Sequence, residues 1–333
     1  MLKKDTRLYS VNEASELIKS GNILAIHGSI DLLKTLPLGN WIGGSIPYFM
    51  DTAGGIMTEG NVFVENMTPF VRTMNPRWYD ANNIPNIFKE NKDSSFTYII
   101  IPGLSEVHSK FARDVYSIKD AFTTPSYGWV SGFNLADPNG RAFVINGKTK
   151  EYYHDKILAT HCDFIDKSWQ LGIDIVNIFE TTSDYSIFFD VSGFEIEIAI
   201  INGKKCNFNE FIKNNGINIK NPLAANYDGS LINISFKGLE NNKVQLYAPV
   251  FPNVEYKLTT IQNNYDNAYR DAVSKNSSSL KDKFLTCSCI LNYLYGELNG
   301  KTIKDSEGPF TFGEIAYVLL NQTLVYTKIV TSK

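Results

Sequence analysis

One strand–helix–strand segment restricts the fold more than any other part of this sequence. Residues 96–101 (FTYIII) form a continuous apolar run, which is typical of a strand that is buried on both faces. Pro102 and Gly103 end this run, and residues 104–117 then repeat apolar side chains at helical spacing. Residues 128–133 (GWVSGF) have the pattern of a second strand. This order predicts a βαβ unit.

Helices and strands alternate along the rest of the chain as well. Ser10 followed by Glu13 has the spacing of a capping box, which predicts the start of a helix. Near the C-terminus we expect a strand over 284–290, a helix over 291–298 and one continuous strand over 311–319. This alternation predicts an α/β (α+β) fold with mixed sheets flanked by helices.

The length of the chain favours more than one domain. It has 333 residues, whereas single domains usually span about 100–200 residues. The best boundary lies near residue 220, because a predicted helix over 207–215 ends shortly before it. We therefore predict two packed lobes, residues 1–220 and residues 221–333.

Composition limits the possible functions. The formal net charge is −3 and the Lys and Arg residues are scattered, which argues against nucleic-acid binding, since that requires a basic surface. Four cysteines in a chain of this length do not indicate a disulfide framework. The N-terminus lacks the apolar region of a signal peptide, and no apolar run approaches the ~18 residues of a membrane span. We predict a cytoplasmic protein without a membrane span, and no motif indicates a cofactor.

A glycine pair lies inside an apolar, strand-like stretch, residues 39–50 (GNWIGGSIPYFM). Such a pair marks a close approach to the backbone. If a ligand makes that approach, Gly44 and Ser45 bind it; the alternative is a sharp exit from a strand, for which the backbone freedom of glycine suffices. Trp129 lies in another glycine-flanked strand, where it could stack on a ligand or pack in the core. The stretch is neither a phosphate-binding loop nor a nucleophile elbow.

The C-terminal region contains the remaining candidates for a binding site. In residues 308–317 (GPFTFGEIAY), Phe312, Gly313 and Glu314 follow one another, and all three are candidate ligand contacts. A carboxylate among apolar residues normally needs a partner. Glu314 could therefore bind a ligand amine or act as a base with a raised pKa, or it could cap backbone amides at a turn. Asn321 could hydrogen-bond a ligand or belong to a polar turn.

Cys289, in the segment 287–289 (CSC), is a further candidate contact for a ligand. As a nucleophile it would need a histidine partner. The alternative is a small thiol in the core, because free cysteine is among the most buried residue types. The Cys-x-x-Cys spacing of a zinc site is missing, so we predict no metal site. We assign no catalytic residue.

The order of features in the second half resembles that of FIST-type sensory proteins. It comprises an Asn202-Gly203 hairpin, the segment 248–258 (APVFPNVEYKL), the cysteine strand and the motif at 308–317. In FIST proteins, two consecutive modules end in a strand with a Cys-Ala-x-Arg-like motif. A Gly-Phe-aromatic-Thr/Ser-x-Gly-Glu-like motif and a terminal strand then follow.

This resemblance implies a FIST N-like module over residues 1–220 and a FIST C-like module over 221–333. The stretch 36–50 also resembles a bacterial family of unknown function, which is similar to a divergent, free-standing FIST relative. FIST modules are regarded as sensors of small intracellular ligands and are usually fused to a signalling output domain, which we do not expect here. The Arg expected after the cysteine strand is missing near Asn292, so the resemblance does not carry over a carboxylate ligand.

We thus predict a cytoplasmic, small-molecule-binding sensory protein, with a signalling protein as an expected partner. An enzyme, either a hydrolase or a transferase that uses Cys289 or Glu314, remains an alternative. A non-catalytic protein-interaction subunit is the third possibility. We favour the binding protein over the enzyme.

Overall fold

A computed structural model describes residues 6–91, 94–227, 229–280 and 283–331 of the chain. Its helices are short, and each lies between strands or at the end of one. They are α1 Val11–Lys19, α2 Ile30–Thr35, α3 Asn86–Lys89, α4 Glu106–Asp114, α5 Phe208–Asn214, α6 Tyr265–Lys275, α7 Ser277–Leu280 and α8 Ile290–Tyr295. No helix in the described ranges is long and apolar enough to cross a membrane.

Strands make up most of the regular structure. They are β1 Thr6–Tyr9, β2 Leu24–Gly28, β3 Trp41–Ser45, β4 Tyr48–Asp51, β5 Gly54–Met57, β6 Val62–Asn66, β7 Val71–Tyr79, β8 Phe96–Pro102, β9 Ser126–Ser131, β10 Val144–Asn146, β11 Tyr152–Tyr153, β12 Ile157–Phe164, β13 Trp169–Asn177, β14 Glu180–Thr181, β15 Ile187–Phe188, β16 Gly193–Ile196, β17 Ile198–Ile201, β18 Lys204–Asn207, β19 Leu223–Tyr227, β20 Ser230–Ile234, β21 Phe236–Glu240, β22 Lys243–Val250, β23 Tyr256–Thr260, β24 Thr286–Cys289, β25 Gly308–Thr311, β26 Glu314–Ala316, β27 Val318–Leu320 and β28 Thr323–Thr331.

The described strands form five sheets. The first has the order β1-β6-β2-β3-β10-β11, the second β27-β26-β9-β8-β12-β7 and the third β13-β28-β24-β25-β4-β5. The fourth has the order β18-β17-β15-β23-β19-β20, with β14 paired to β23, and the fifth is β16-β22-β21. Mixed sheets with flanking helices confirm the predicted α+β fold class.

Three strand–helix–strand units occur in the described chain, in the first three sheets. They are β2–α2–β3, β8–α4–β9 and β24–α8–β25, and the two strands of each unit are parallel. The predicted unit is therefore present, and two further units have the same form. In each of them a helix begins near the carboxyl end of the unit's first strand.

The predicted start of the first helix is confirmed. The Oγ of Ser10 accepts the backbone N–H of Glu13, and the Glu13 carboxylate accepts the N–H of Ser10 at 2.8 Å. These two bonds satisfy donors that the first helical turn leaves free. Helices α1 and α2 pack on the first sheet and enclose a small apolar cluster.

The sheets continue across residue 220. β9 pairs with β26, β4 with β25, and β13 with β28, so residues from both predicted lobes share the second and third sheets. The fourth sheet also contains strands from both sides of the boundary. Residues 1–220 and 221–333 are therefore not separate hydrogen-bonded units, because long-range strand pairing joins them.

The continuous strand predicted over 311–319 is wrong. The structure divides it into the end of β25, β26 and β27, and β26 and β27 form a tight hairpin. Tyr317 takes a φ of 63° at the turn, and its N–H donates to the backbone oxygen of Ser126. A left-handed turn at a tyrosine has no clear sequence signal, since glycine or asparagine usually occupies such positions.

Candidate functional site

A cavity of about 440 Å³ lies where the second and third sheets meet the fifth. It is next to the first turn of α4 and next to α8, beyond the carboxyl ends of β8 and β24. Ligands of open α/β sheets commonly bind beyond the carboxyl ends of strands. The apolar part of the lining includes Leu104, Phe133, Phe194, Leu291, Leu294 and Phe312.

Phe312 is held against the cavity by the glycines around it. Its ring lies so close to Gly132 that a Cβ there would collide with it, and a Cβ on Gly103 would also be in tight contact. The ring meets Phe133 edge to face, with centroids 5.2 Å apart. Phe312 is half-buried, so one part of the ring faces the cavity while the rest packs on the backbone.

His108 is a polar group in the wall of the cavity. Its Nδ1 accepts the backbone N–H of Leu104 at 3.3 Å. Burial lowers the pKa of His108 to about 4, so the ring is neutral near pH 7. A neutral ring that accepts at Nδ1 carries its proton on Nε2. The Nε2 donor has no hydrogen-bond partner among the described residues, and the side chain is only 7% exposed.

Asn321 is the second such group. It follows β27, and its side chain is 2% exposed. Its Nδ2 donates to the oxygen of Leu320 at 3.0 Å, which leaves Oδ1 without a partner in the described structure. The neighbouring Gln322 bonds to Ser235, Tyr265 and the backbone of Lys220, so it is fully engaged.

Glu314 lies behind the cavity wall and is fully buried. Its Oε2 accepts the hydroxyl of Thr323 at 2.7 Å and the N–H of the same residue at 3.3 Å. Thr311 donates to its Oε1 at 3.4 Å. Burial raises the pKa of Glu314 well above its usual range, and the hydrogen bonds from Thr323, Thr311 and Cys289 only partly oppose this rise. The carboxyl group thus links β25, β26 and β28, and its burial favours the protonated form.

We expect the Glu314→Gln variant to gain stability relative to wild type as the pH rises above about 5. A raised folded-state pKa means that the folded protein holds a proton which the unfolded chain releases near pH 4.5. The stability that the protonated Glu314 side chain contributes is present in full below that pH. It is lost as the pH rises, by up to about 1.4 kcal/mol per pH unit. Glutamine is neutral at every pH. Urea unfolding of both proteins at several pH values measures the difference.

Glu314→Ala is the matched comparison, because it removes the acceptor for Thr323 altogether. We expect it to lower the free energy of unfolding by about 1–3 kcal/mol at all pH values, since it leaves a buried N–H unpaired. If the glutamine variant lost stability with pH as steeply as wild type does, the carboxyl group would not be the source of that slope.

Cys287 and Cys289 lie on the same face of β24, because residues two apart in a strand point the same way. Both are buried. Burial first, and then the nearby Glu314 carboxyl, raises the pKa of both thiols well above the usual range. Among the described residues, no histidine hydrogen-bonds to either sulfur. The reactive thiolate is therefore disfavoured at both positions.

Gly44, Ser45 and Trp129 belong to the interior and do not line this cavity. A Cβ on Gly44 would lie 2.7 Å from the indole of Trp129, so the chain's own tryptophan makes the close approach. The indole Nε1 of Trp129 donates to the hydroxyl of Tyr98 at 3.0 Å. The Oγ of Ser45 donates to the oxygen of Gly132 and accepts the N–H of Phe143.

Three of the eight residues proposed from the sequence thus line the cavity: Phe312, Asn321 and Cys289. Gly313 and Glu314 are buried next to them. Leu104, His108 and Phe133 also line the cavity and were not among the residues predicted from the sequence. The available signal was the position of Leu104 and His108 at the start of a helix that directly follows a buried parallel strand.

No group of three or more His, Cys, Asp or Glu side chains arranged to hold a metal was found within the described ranges. No curated protein matches the sequence. One family model matches residues 9–330, which is nearly the whole chain. The chain therefore belongs to the family of unknown function DUF6976.

Proposed function

We propose that this chain is a small-molecule-binding protein of a sensory type, with the ligand held in the cavity between α4 and α8. The cavity volume of about 440 Å³ falls within the roughly 300–1,000 Å³ that is common for ligand sites. Its wall combines a mainly apolar surface with a few polar groups. That combination is typical of sites that bind small molecules.

The observation that carries this proposal is the cavity itself, whose apolar wall also contains the polar residues His108 and Asn321. Both side chains are buried, and Nε2 of His108 and Oδ1 of Asn321 have no partner among the described residues. A buried donor or acceptor without a partner costs about 1–3 kcal/mol. A wall shaped only for packing has no need of polar side chains that bear this cost.

Leu104 adds a second indication at the edge of the cavity. It has a φ of 59°, a left-handed conformation that is unfavourable for a residue with a Cβ. Its N–H bond to His108 and the turn before α4 hold it there. Strained residues of this kind cluster at functional sites. The side chain is exposed, as are those of Leu135 and Leu294, which also line the cavity.

We place the protein in the cytoplasm, and we propose a signalling protein as its partner. All four cysteines are free, which fits a reducing compartment. The FIST-type resemblance supports a sensory role. The thiol-enzyme alternative has less support, because burial disfavours the thiolate of Cys289.

A thermal-shift screen of small metabolites tests this function. A ligand that binds only the folded state at 100 times its Kd adds about 2.7 kcal/mol of stability, which raises the Tm by several degrees. We expect at least one compound to do so with wild type. In the Leu294→Trp variant we expect a much smaller shift, because the larger side chain fills the cavity.

Leu38→Trp is the control for that variant, because it makes the same exchange at an exposed leucine outside the cavity lining. It should respond to the ligand as wild type does. A broad screen without any stabilising compound, or equal shifts in both tryptophan variants, would speak against ligand binding in this cavity.

A further inference from the structure

The lining of the cavity carries one permanent charge. Among the described residues that line it, Lys237 is the one with a permanently charged side chain, and no Asp or Glu belongs to the lining. Burial lowers the pKa of His108 to about 4 and raises the pKa of Tyr247, so both rings are neutral near pH 7. The net charge of the lining is therefore that of a single ammonium group.

Lys237 is accessible to an occupant of the cavity. Its side chain is exposed, and no ion pair, hydrogen bond or ring contact engages it within the described structure. The ammonium group ends a flexible four-carbon stem, so its position at the cavity edge can adapt to a ligand. Glu195 of the same sheet does not compete for it, because its carboxylate already pairs with Lys243 and accepts Nε2 of Gln245 at 2.6 Å.

A β-bulge lies at Lys237. The register of β21 on β22 shifts between Phe236 and Gly238, so Lys237 is the extra residue on β21. The register of β16 on β22 also shifts next to Phe194, which lines the cavity as Lys237 does. Bulges are common beside functional sites, where they redirect a side chain. The fifth sheet thus departs from regular pairing on both sides of β22, where it borders the cavity.

The rest of the lining offers apolar surface that a ligand can cover. Leu104, Leu135 and Leu294 are exposed, and the rings of Phe133 and Phe312 are half-buried. Removing such surface from water stabilises a complex in proportion to the apolar area that is covered. The cavity therefore combines a broad apolar wall with one cation that remains in contact with water.

We propose that the cavity binds an amphipathic monocarboxylate, whose apolar body covers the leucine and phenylalanine side chains and whose carboxylate pairs with Lys237. This inference rests on the proposed binding function and specifies its ligand class. One carboxylate matches the one ammonium group of the lining, whereas a second anionic group would have no counter-charge there. The carboxylate stays at the exposed edge, which avoids the large cost of burying an ion.

Three probes of nearly the same shape test this selection with the full chain: phenylacetate, phenylacetamide and phenethylammonium. We measure each Kd by NMR titration at neutral pH. We expect phenylacetate to bind at least about fivefold more tightly than the amide, which corresponds to about 1 kcal/mol, and the cation to bind most weakly. The preference should shrink at about 1 M NaCl, where the Debye length falls to about 3 Å.

Variants of Lys237 separate its charge from the shape of the cavity. Lys237→Met keeps a long apolar stem without the charge, and Lys237→Arg keeps the charge. We expect Lys237→Met to weaken phenylacetate binding at least about fivefold and to leave phenylacetamide binding unchanged, whereas Lys237→Arg retains most of the phenylacetate affinity. Leu294→Trp should weaken both probes, because it fills the cavity. Lys167→Met, at an exposed lysine outside the lining, is the matched control. Circular dichroism confirms that each variant is folded.

The outcomes distinguish the ligand class from the binding function itself. If phenylacetamide or phenethylammonium bound as tightly as phenylacetate and competed with it, the cavity would bind ligands but the anionic class would be wrong. Equal losses of phenylacetate affinity in Lys237→Met and Lys167→Met would also overturn the inference. If none of the probes bound while the metabolite screen found a ligand, the monocarboxylate class would fail and the binding function would stand.

Discussion

Replacing Glu65 with alanine is expected to lower the free energy of unfolding by about 3–5 kcal/mol. This buried carboxyl group is a hydrogen-bond centre in the core. Its Oε2 lies 3.1 Å from Nε2 of His27 and accepts the hydroxyl of Tyr98 at 3.4 Å. Its Oε1 accepts the backbone N–H of Thr286 at 3.1 Å. Alanine would leave all three groups buried without this partner and would open a void among them.

The effect is large because Glu65 connects three sheets. It lies on β6 of the first sheet, Tyr98 lies on β8 of the second and Thr286 begins β24 of the third. The network continues from Tyr98 to the indole of Trp129, which packs edge to face on His27. Loss of the carboxyl group therefore weakens the junction of the sheets as well as one local contact.

Urea unfolding of Glu65→Ala, Glu65→Gln and Glu16→Ala measures this contribution. Glutamine keeps an acceptor and the size of the side chain, so its loss of stability should be smaller than that of alanine. Glu16 makes an exposed ion pair with Lys19, and such pairs contribute about 1 kcal/mol or less. Similar losses in the two alanine variants would show that Glu65 does not connect the sheets.

Local patterns predicted the helices and the strand–helix–strand unit. The capping box at Ser10 and the apolar run at 96–101 act through residues that are close in sequence, and both features are present in the structure. Gly44 was a good signal of close packing, because it does permit a close approach. The sequence alone did not identify Trp129 as the partner, since that side chain lies far along the chain.

Such local patterns could not predict which residues that are distant in sequence contact each other. His27 and Glu65 meet although 38 positions separate them. The cavity likewise combines the start of α4 with Phe312 and Asn321 from the last part of the chain. Part of the segment 308–321 therefore lines the cavity, but the presence of His108 in the same lining could be recognised only when the sheets were assembled.

The stability of wild type is expected to decrease, through His108, by about 2–3 kcal/mol between about pH 7.5 and about pH 4.5. Burial lowers the pKa of His108 from its ordinary value near 6.5 to about 4. Between these values the unfolded chain binds a proton that the folded protein does not. The unfolded state is thus favoured as the pH falls. A protonated ring would also lie at the positive end of α4.

His108→Asn should remove this part of the pH dependence, because asparagine does not titrate. The quantity to compare is the difference in unfolding free energy between wild type and variant, measured in urea at both pH values. That difference should shift by about 2–3 kcal/mol in favour of the variant at the lower pH. His154→Asn, at an exposed histidine, is the matched control. A shift as large in the control, or none in His108→Asn, would mean that the folded protein does not hold His108 as a buried neutral ring.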